Sequence, residues 1–253
     1  MILDRHDKII KLLEVHRKIT IDELKRELNV SIETIRRDLK ALEEQNLLRR
    51  VYGGAVLNSM TSAEPMYTTR EALNMEEKRR IAKKTAELIN DGDTIAIDIG
   101  TTVLEATRHL TGKNNLTVLT NSINAAQQLA SNPTNKVYVL GGMLRWGENA
   151  TSGYIGEQAL DHFRVDKTLL GVGGFTIEDG VTDYMESEAQ VRKKMISIAK
   201  QTIAVADYSK FGVTAFCKIC DITQIHTLVT DARAPKTTLA QLKGMSLDVI
   251  VAE

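Results

Sequence analysis

The residue types best suited to binding chemistry lie in short turns that follow apolar runs. Asp98-Ile-Gly-Thr-Thr102 comes after one such run and directly before an amphipathic segment. Backbone amides at a helix start attract anions, and two threonine hydroxyls can add hydrogen bonds. Similar glycine-rich or polar turns occur at residues 119–122, 140–142, 171–174 and 207–210. The sequence thus predicts several anion-binding turns, although Gly, Thr, Asn and Ser are also ordinary turn formers.

Apolar runs alternate with amphipathic segments from residue 76 onward, and these elements would position the turns. We predict strands at residues 94–97, 116–119, 137–140, 168–170, 202–206, 227–229 and 247–251. We predict helices at residues 76–89, 103–110, 123–130, 157–163, 186–200 and 236–242. Strands separated by helices form a mostly parallel sheet through right-handed crossovers. Because the carboxyl ends of parallel strands share one edge, we expect the polar turns to converge there.

A second set of candidate residues lies on one face of a predicted helix near the N-terminus. Four apolar side chains repeat at helical spacing and define its buried face: Ile32, Ile35, Leu39 and Leu42. The opposite face centres on Arg37, and an exposed arginine can bind guanine through two hydrogen bonds in the major groove. The residues predicted to contact DNA are Ser31, Glu33, Thr34, Arg36, Arg37 and Lys40 on this helix, and Arg49, Arg50 and Tyr52 after it.

The order of local signals around that helix is typical of a winged helix-turn-helix. Thr20-Ile-Asp-Glu23 has the spacing of a capping box, and Ser31 is a favourable N-cap. Two extended runs flank Gly53-Gly54, which indicates a hairpin. Helices are predicted over residues 4–16, 21–28 and 31–45, followed by the hairpin at 48–57. We therefore predict a winged helix-turn-helix domain at residues 1–57, a linker at 58–75 and an α/β domain at 76–253.

The composition excludes several other classes of protein. The 253 residues carry 33 Lys and Arg against 33 Asp and Glu, and residues 1–57 hold 12 of these bases and 10 of these acids. DNA attraction must therefore come from the placement of a few cations rather than from net charge. No apolar run reaches the roughly 18–20 residues that span a bilayer, and two cysteines do not form a disulfide framework. We expect a cytoplasmic protein with no membrane partner.

The sequence resembles the DeoR family of bacterial transcription regulators. In the N-terminal region the resemblance rests on Val30-Ser-x-x-Thr-Ile-Arg-Arg-Asp-Leu39, Leu42-Glu43 and Arg50-Val-Tyr-Gly-Gly-Ala55. It continues through Glu77-Lys78, Asp98-x-Gly-Thr-Thr102, Leu119-Thr-Asn121, Gly141-Gly142 and Ala206-Asp-x-Ser-Lys-Phe-Gly212. These motifs cover nearly the whole chain in the order of the family, which makes the resemblance specific.

The resemblance implies a DNA-binding regulator, expected to be a repressor of a carbohydrate-metabolism operon. Its α/β domain would be similar to sugar-phosphate isomerases and amino-sugar-phosphate deaminases, and it would bind a phosphorylated sugar or related metabolite as effector. The phosphate is assigned to Gly100, Thr101, Thr102 and Lys210, the sugar hydroxyls to Asp98, Asn121 and Glu188, and Gly173 completes the effector set. Two reading helices on successive half-sites imply a homodimer or homotetramer on operator DNA. No cofactor is expected.

Two other functions fit parts of the sequence. A sugar-phosphate isomerase-like enzyme with an appended nucleic-acid-binding domain needs an acid–base residue near the glycine-rich segment 171–180. That segment has no histidine, and Glu178 and Asp179 are more typical of a turn, so we predict no enzyme and no catalytic residues. Cys217-Lys-Ile-Cys220 has the spacing of half a zinc site or of a redox pair, without a second ligand pair. We predict no metal, and a metal or redox sensor is the third alternative.

Overall fold

The computed structural model of the chain describes residues 2–16, 18–45, 47–57, 64–245 and 247–253. Its internal contacts divide the chain into two compact units, Met1–Leu73 and Asn74–Glu253. Within the described ranges, no helix has the length and apolar character needed to cross a membrane.

The first unit combines helices with a three-stranded antiparallel sheet of order β1-β3-β2. Its elements are α1 (Ile2–His16), β1 (Lys18–Thr20), α2 (Ile21–Leu28), α3 (Ile32–Glu44), β2 (Leu48–Val51), β3 (Gly54–Leu57) and α4 (Tyr67–Ala72). The predicted winged helix-turn-helix is confirmed, with β2 and β3 forming the wing. The short strand β1 was not predicted. The segment 58–75, predicted as a linker, contains α4, and its residues 58–63 lie outside the described residues.

Local sequence determines where α2 and α3 begin and end. Thr20 Oγ1 accepts a hydrogen bond from the Glu23 amide at 3.2 Å, and the Thr20 amide donates to Glu23 Oε2 at 2.7 Å. This is the predicted capping box. Asn29 ends α2 in the left-handed region (φ 51°), and Ser31 Oγ caps α3 by accepting from the Thr34 amide at 3.2 Å. A tight turn between two helices results.

Among the residues of the first unit whose burial is described, Asp38 on α3 is the charged residue that is buried. Its carboxylate accepts hydrogen bonds from Arg5 Nε at 2.5 Å and Arg5 Nη2 at 2.8 Å, and His6 Nε2 lies 3.3 Å from Oδ1. Burial alone would raise the pKa of Asp38, but the hydrogen bonds from Arg5 and His6 outweigh it and lower the pKa below its ordinary value. The ion pair fastens α1 to α3.

The second unit is an α/β domain on a seven-stranded sheet, with the strand order β15-β14-β12-β9-β4-β5-β6. Its elements are α5 (Met75–Glu87), β4 (Thr94–Ile97), α6 (Thr101–Leu110), β5 (Thr117–Thr120), α7 (Ile123–Ala130), β6 (Lys136–Val139), β7 (Met143–Arg145), β8 (Ala150–Ser152), α8 (Tyr154–Leu160), β9 (Val165–Gly171), β10 (Gly174–Thr176), β11 (Gly180–Asp183), α9 (Glu186–Ile198), β12 (Ala199–Val205), β13 (Cys217–Cys220), β14 (Thr227–Asp231), α10 (Lys236–Lys243) and β15 (Asp248–Ala252). Every neighbouring pair in this sheet is parallel. The predicted mostly parallel sheet with its seven strands is confirmed.

Helices cover both faces of the sheet because successive strand residues point to opposite sides. On β4, Ile95 and Ile97 pack in one core with side chains of α5, α6 and α7. Ala96, between them, packs in another core with side chains of α8 and α9. The apolar strands are thus buried on both faces, as parallel sheets usually are.

Several details of the second unit differ from the prediction. The antiparallel pair β7-β8 and the small sheet β10-β11-β13 were not predicted. The helix expected to reach Lys200 ends at Ile198, because Ala199 already pairs with Val165 of β9. The helix expected at 157–163 begins earlier, at Tyr154.

Sheet order determines where a ligand can bind. From β4 the chain moves outward through β5 and β6, and it then returns to β9 on the other side of β4. In open α/β sheets such a reversal leaves a crevice beyond the carboxyl ends of the two central strands. The turns after β4 and β9 lie at this crevice.

The substitution Asp38→Asn should destabilise the first unit, because it leaves the Arg5 guanidinium without its carboxylate. Breaking a largely buried pair from one side costs roughly 3 kcal/mol. Hydrogen exchange of the α3 amides in the full chain measures this loss, and Glu27→Gln, an exposed acid on α2, is the control. Because the folded-state pKa of Asp38 is lowered, its contribution is present above the ordinary carboxyl pKa and disappears as pH falls through the lowered value. Equal exchange rates in the two variants would contradict the prediction.

Candidate functional site

The first candidate surface is the solvent side of α3. Ser31, Glu33, Arg36, Arg37 and Lys40 are exposed there, and Thr34 is half-buried. Lys40 Nζ lies 3.8 Å from Glu44 Oε1. Within the part of the chain that the structure describes, Arg36 and Arg37 form no ion pair, so both guanidinium groups can meet an incoming acceptor. The helix face predicted from apolar periodicity is the face that reaches solvent.

The wing places further cations beside α3. Arg49 and Arg50 are exposed on β2, and Tyr52 is fully exposed at the hairpin tip, next to Gly53 with φ 77°. A groove between α3 and the wing is lined in part by Arg36, Arg50 and Tyr52. This combination of an exposed helix and a basic hairpin suits a helix in the major groove and a wing along the phosphate backbone.

Arg50 also binds a side chain of α3, which the sequence did not predict. Its backbone amide donates to Glu43 Oε1 at 2.8 Å, and its Nε donates to Glu43 Oε2 at 2.6 Å. The hydrogen bond from the Arg50 backbone amide has the larger effect on the pKa of Glu43, and the one from the Arg50 side chain adds to it. Together they hold this pKa below its ordinary value. The pair fixes the wing relative to α3, so Glu43 positions the surface without lying at its centre. Its place in the Leu42-Glu43 motif was the available signal.

The second candidate site lies at the carboxyl edge of the seven-stranded sheet. Asp98 follows β4 and is buried, and Gly100 then starts α6 with φ 129° and no side chain to cap the helix. The first amides of a helix have no partner within it and favour an anion. Thr101 and Thr102 are the first residues of α6. The turn has the position and the uncapped helix start that were expected from the sequence, and anion binding there stays a prediction.

Other predicted effector residues are brought to the same edge. Ile97 of β4 is in register with Thr120 of β5, so Asp98 and Asn121 stand side by side at the strand ends. Gly171 is in register with Val205, the last residue of β12. Gly173 follows β9, and Lys210 ends a short 3-10 turn after β12. The strand ends thus gather seven of the eight residues predicted to bind the effector.

The crevice between β4 and β9 is tightly built. The Gly171 amide donates to Asp98 Oδ2 at 3.0 Å. A Cβ atom on Gly171 would lie 2.7 Å from the Ile99 carbonyl oxygen and 3.1 Å from Asp98 Oδ2. Only glycine fits at this position without moving backbone atoms.

A buried ion cluster lies against this crevice. Arg192 of α9 donates from Nε to Asp98 Oδ2 at 2.6 Å. Its other guanidinium nitrogens contact Asp183 of β11 and, at 3.5 Å, Glu188 of α9. One arginine therefore joins the turn after β4, the small sheet and α9. Sequence reasoning missed Arg192, although its spacing of four residues from Glu188 on one helix was a signal.

Glu188, the eighth predicted effector residue, is already engaged. It contacts Arg192 and accepts from Arg145 at the end of β7. Arg145 also lies 3.2 Å from Glu148. A sugar hydroxyl would share this carboxylate with two guanidinium groups, so its proposed role in binding stays a prediction, and its observed role is to hold two arginines.

Two buried oxygen atoms at the strand ends lack a hydrogen-bond donor within the part of the chain that the structure describes. Among the described residues, neither Asp98 Oδ1 nor Asn121 Oδ1 accepts a hydrogen bond. Burial raises the pKa of Asp98, and the attraction of Arg192 offsets only part of that effect. A buried acceptor without a donor costs free energy, which a ligand hydroxyl would recover.

The cysteine pair gives little support for metal or redox chemistry. Cys217 and Cys220 are free, and burial raises the pKa of Cys220 to about 12. The thiolate that binds metals or attacks disulfides is therefore disfavoured at neutral pH. In the described part of the chain, no group of three or more His, Cys, Asp or Glu could hold a metal ion.

A helix-turn-helix unit followed by an α/β unit fits a transcription regulator with a separate sensor domain. The family model of the DeoR-like helix-turn-helix domain matches residues 5–61, and that of the DeoR C-terminal sensor domain matches residues 73–232. The chain belongs to the DeoR family of transcriptional regulators, and its first unit is the DNA-binding domain.

Two relatives agree with this assignment. The chain is 34% identical over 250 residues to the HTH-type transcriptional regulator GolR of Listeria innocua, covering 99% of this chain and 98% of that protein. It is 36% identical over 241 residues to the glycerol-3-phosphate regulon repressor of Escherichia coli, covering 94% of each. Among solved structures, ribose 5-phosphate isomerase A from Methanocaldococcus jannaschii aligns with a TM-score of 0.40 and 17% identity, covering 56% of each chain.

The substitution Gly171→Ala should destabilise the sensor unit, because its new methyl group meets backbone atoms of the turn after β4. Overpacking of this kind costs roughly 1–3 kcal/mol. We expect the thermal unfolding midpoint of the full chain to fall by several degrees. Gly112→Ala is the control, since nothing lies within 4 Å of its added Cβ. An unchanged midpoint for Gly171→Ala would show that the crevice is looser than described.

Proposed function

We propose that this regulator represses a carbohydrate-metabolism operon. A phosphorylated sugar or polyol binds at the carboxyl edge of the sensor sheet, and the regulator then dissociates from operator DNA or changes its arrangement on it. The observation that carries the proposal is a pair of buried oxygens near the start of α6, Asp98 Oδ1 and Asn121 Oδ1, that lack a donor among the described residues. A ligand with several hydroxyls supplies such donors, and its phosphate suits the amides of α6. A relative at 36% identity is named for the regulon of a phosphorylated polyol.

The charges around the crevice favour one orientation of the ligand. Asp98, Asp183 and Glu188 surround the guanidinium of Arg192, and Arg145 with Glu148 adds one charge of each sign, so carboxylates outnumber guanidinium groups on this side of the crevice. A phosphate would be repelled there and attracted to the start of α6 and to Lys210. Hydroxyl groups would then face Asp98 and Asn121. This arrangement keeps the assignments of Gly100, Thr101, Thr102 and Gly173 to the effector site.

We propose that the sensor binds its ligand without converting it. The acids of the glycine-rich segment, Glu178 and Asp179, are exposed at the turn between β10 and β11. Thr214 donates to Asp179 Oδ2 at 2.7 Å. Asp98, the acid at the crevice, is held by Arg192 and by the Gly171 amide. Asp98 is thus already engaged, and Glu178 and Asp179 lie on a solvent-exposed turn, so we assign none of the three as a general base.

We expect the DNA contacts to centre on Arg37, with Arg36, Lys40, Arg49 and Tyr52 along the flanking backbone. The substitution Arg37→Ala should weaken binding roughly tenfold or more, because a bidentate base contact contributes about 1–3 kcal/mol. Fluorescence anisotropy at constant salt, with a DNA fragment selected by the wild-type protein, measures this change. Lys8→Ala, an exposed cation on α1, is the control. If both variants bind like the wild type, α3 is not the reading helix.

The substitutions Lys210→Ala and Thr101→Ala should abolish the response to effector while DNA affinity is retained. The measurement is the thermal shift of each protein with glucose 6-phosphate, fructose 6-phosphate, ribose 5-phosphate and glycerol 3-phosphate, and with the unphosphorylated compounds. Only phosphorylated compounds should stabilise the wild type. A full response in both variants would refute the pocket assignment. Conversion of any compound at catalytic rates, followed by NMR in the same mixtures, would favour the isomerase-like alternative.

A further inference from the structure

The β6 edge of the sensor sheet carries an apolar surface that is open to solvent. Six large side chains form this surface, which we call the hairpin surface: Tyr138 on β6, Met143 and Leu144 on β7, Trp146 in the turn after β7, and Tyr154 and Ile155 at the start of α8. Trp146, the only tryptophan of the chain, is 93% exposed. Exposure of this many large apolar groups in one region is costly for a protein that remains alone in water.

Local geometry holds the hairpin surface together. β7 begins shortly after β6, and it pairs with β8, which leads through Gly153 into α8. At Gly142, where φ is 142°, a Cβ atom would lie 2.4 Å from the Ser152 carbonyl oxygen. Ile155 Cγ2 would lie 3.1 Å from a Cβ on Gly141. The β7-β8 hairpin is therefore pressed against the end of β6 and the start of α8, which brings together the elements that carry the six side chains.

The size of the hairpin surface is that of a protein interface. Large side chains present roughly 150–250 Å² each when fully exposed, so the exposed fractions of these six amount to about 800 Å² by the same measure. A standard protein–protein interface buries about 800 Å² on each partner. The largest apolar patch of a typical monomer is about 300–600 Å².

The charges favour a second copy of this chain as the partner. Between residues 137 and 155, the only charged residues are Arg145 and Glu148. They lie 3.2 Å apart, and Arg145 also contacts Glu188. Apart from Lys136, which is exposed at the start of β6, two copies of these elements can therefore meet without opposing like charges. The chain as a whole has a net charge of zero, which also permits self-association.

Two further features favour a self-complementary contact. β6 is an edge strand whose outer side is unpaired within the sheet, and such edges are normally covered. A helix-turn-helix that reads two half-sites works as a two-fold symmetric pair, and in that symmetry each copy offers the same patch. In the described part of the first unit, Tyr52 and Met66 are the exposed large apolar side chains, which is too little for such an interface.

From these observations we infer that two copies of this chain associate through the hairpin surface, with β6 and the β7-β8 hairpin of one copy against the same elements of its partner. Trp146 lies near the centre of the contact. The interface is assigned to the sensor unit, and it does not depend on the identity of the effector.

The experiment compares Leu144→Asp with Phe216→Asp in the full-length protein. Leu144 is on the hairpin surface, whereas Phe216 is an equally exposed apolar side chain beside β13 of the small sheet. Sedimentation velocity over a range of protein concentrations gives the Kd of self-association. A buried charge near the interface centre should raise this Kd by about tenfold or more, while Phe216→Asp should leave it unchanged. Because both side chains are exposed, both variants should keep the wild-type thermal midpoint of the dissociated chain.

The emission of Trp146 identifies the surface directly. In the dissociated wild-type chain we expect the spectrum of a solvent-exposed indole, which shifts to shorter wavelength as self-association proceeds. If the wild type is associated at every concentration, its emission should be blue-shifted throughout, and that of Leu144→Asp should not be. A wild type that stays monomeric, an equal Kd in Leu144→Asp, or an associated wild type in which Trp146 emits like a solvent-exposed indole would each overturn the inference.

Discussion

A single buried guanidinium group, that of Arg192, organises the sensor unit around its crevice. It binds the carboxylate that follows β4, and it contacts acids on β11 and α9. Since a buried charge must be paired, moving any one of these elements would expose or orphan an ion. The acids on one side of the crevice are therefore held in place by the same arginine that joins the walls of the crevice. A ligand meets a site that is already assembled.

The DNA-binding unit uses a similar device at smaller scale. Asp38 ties α1 to the inner side of α3 through Arg5, and Glu43 ties the wing to α3 through Arg50. Helix and wing are thus set relative to each other before DNA arrives. The basic side chains that remain exposed, Arg36 and Arg37 above all, sit on a surface of fixed shape. Such preorganisation reduces the ordering cost of binding, which matters for a domain with only a small excess of positive charge.

The sequence was sufficient for the features that depend on local periodicity. The seven strands follow from apolar runs, and the exposed face of α3 follows from Ile35, Leu39 and Leu42. The sheet β10-β11-β13 escaped prediction because its strands are short and pair across distant parts of the chain. The burial of Arg192 and Asp38 was not predicted for another reason. Each looks like a surface charge in the sequence, and only a partner 94 residues away in one case and 33 in the other explains its burial.

The β7-β8 hairpin has two sides with different neighbours. Its outer side carries Leu144 and Trp146, while Arg145 contacts Glu188 and the Thr151 amide donates to the Asn121 carbonyl at 2.9 Å. If pairing of two chains stiffens this hairpin, the crevice behind it is changed as well. Thermodynamic linkage then works in both directions: an effector that alters the pairing must itself bind with an affinity that depends on how many chains are present. The cell's copy number of the regulator would thereby become part of its sensitivity.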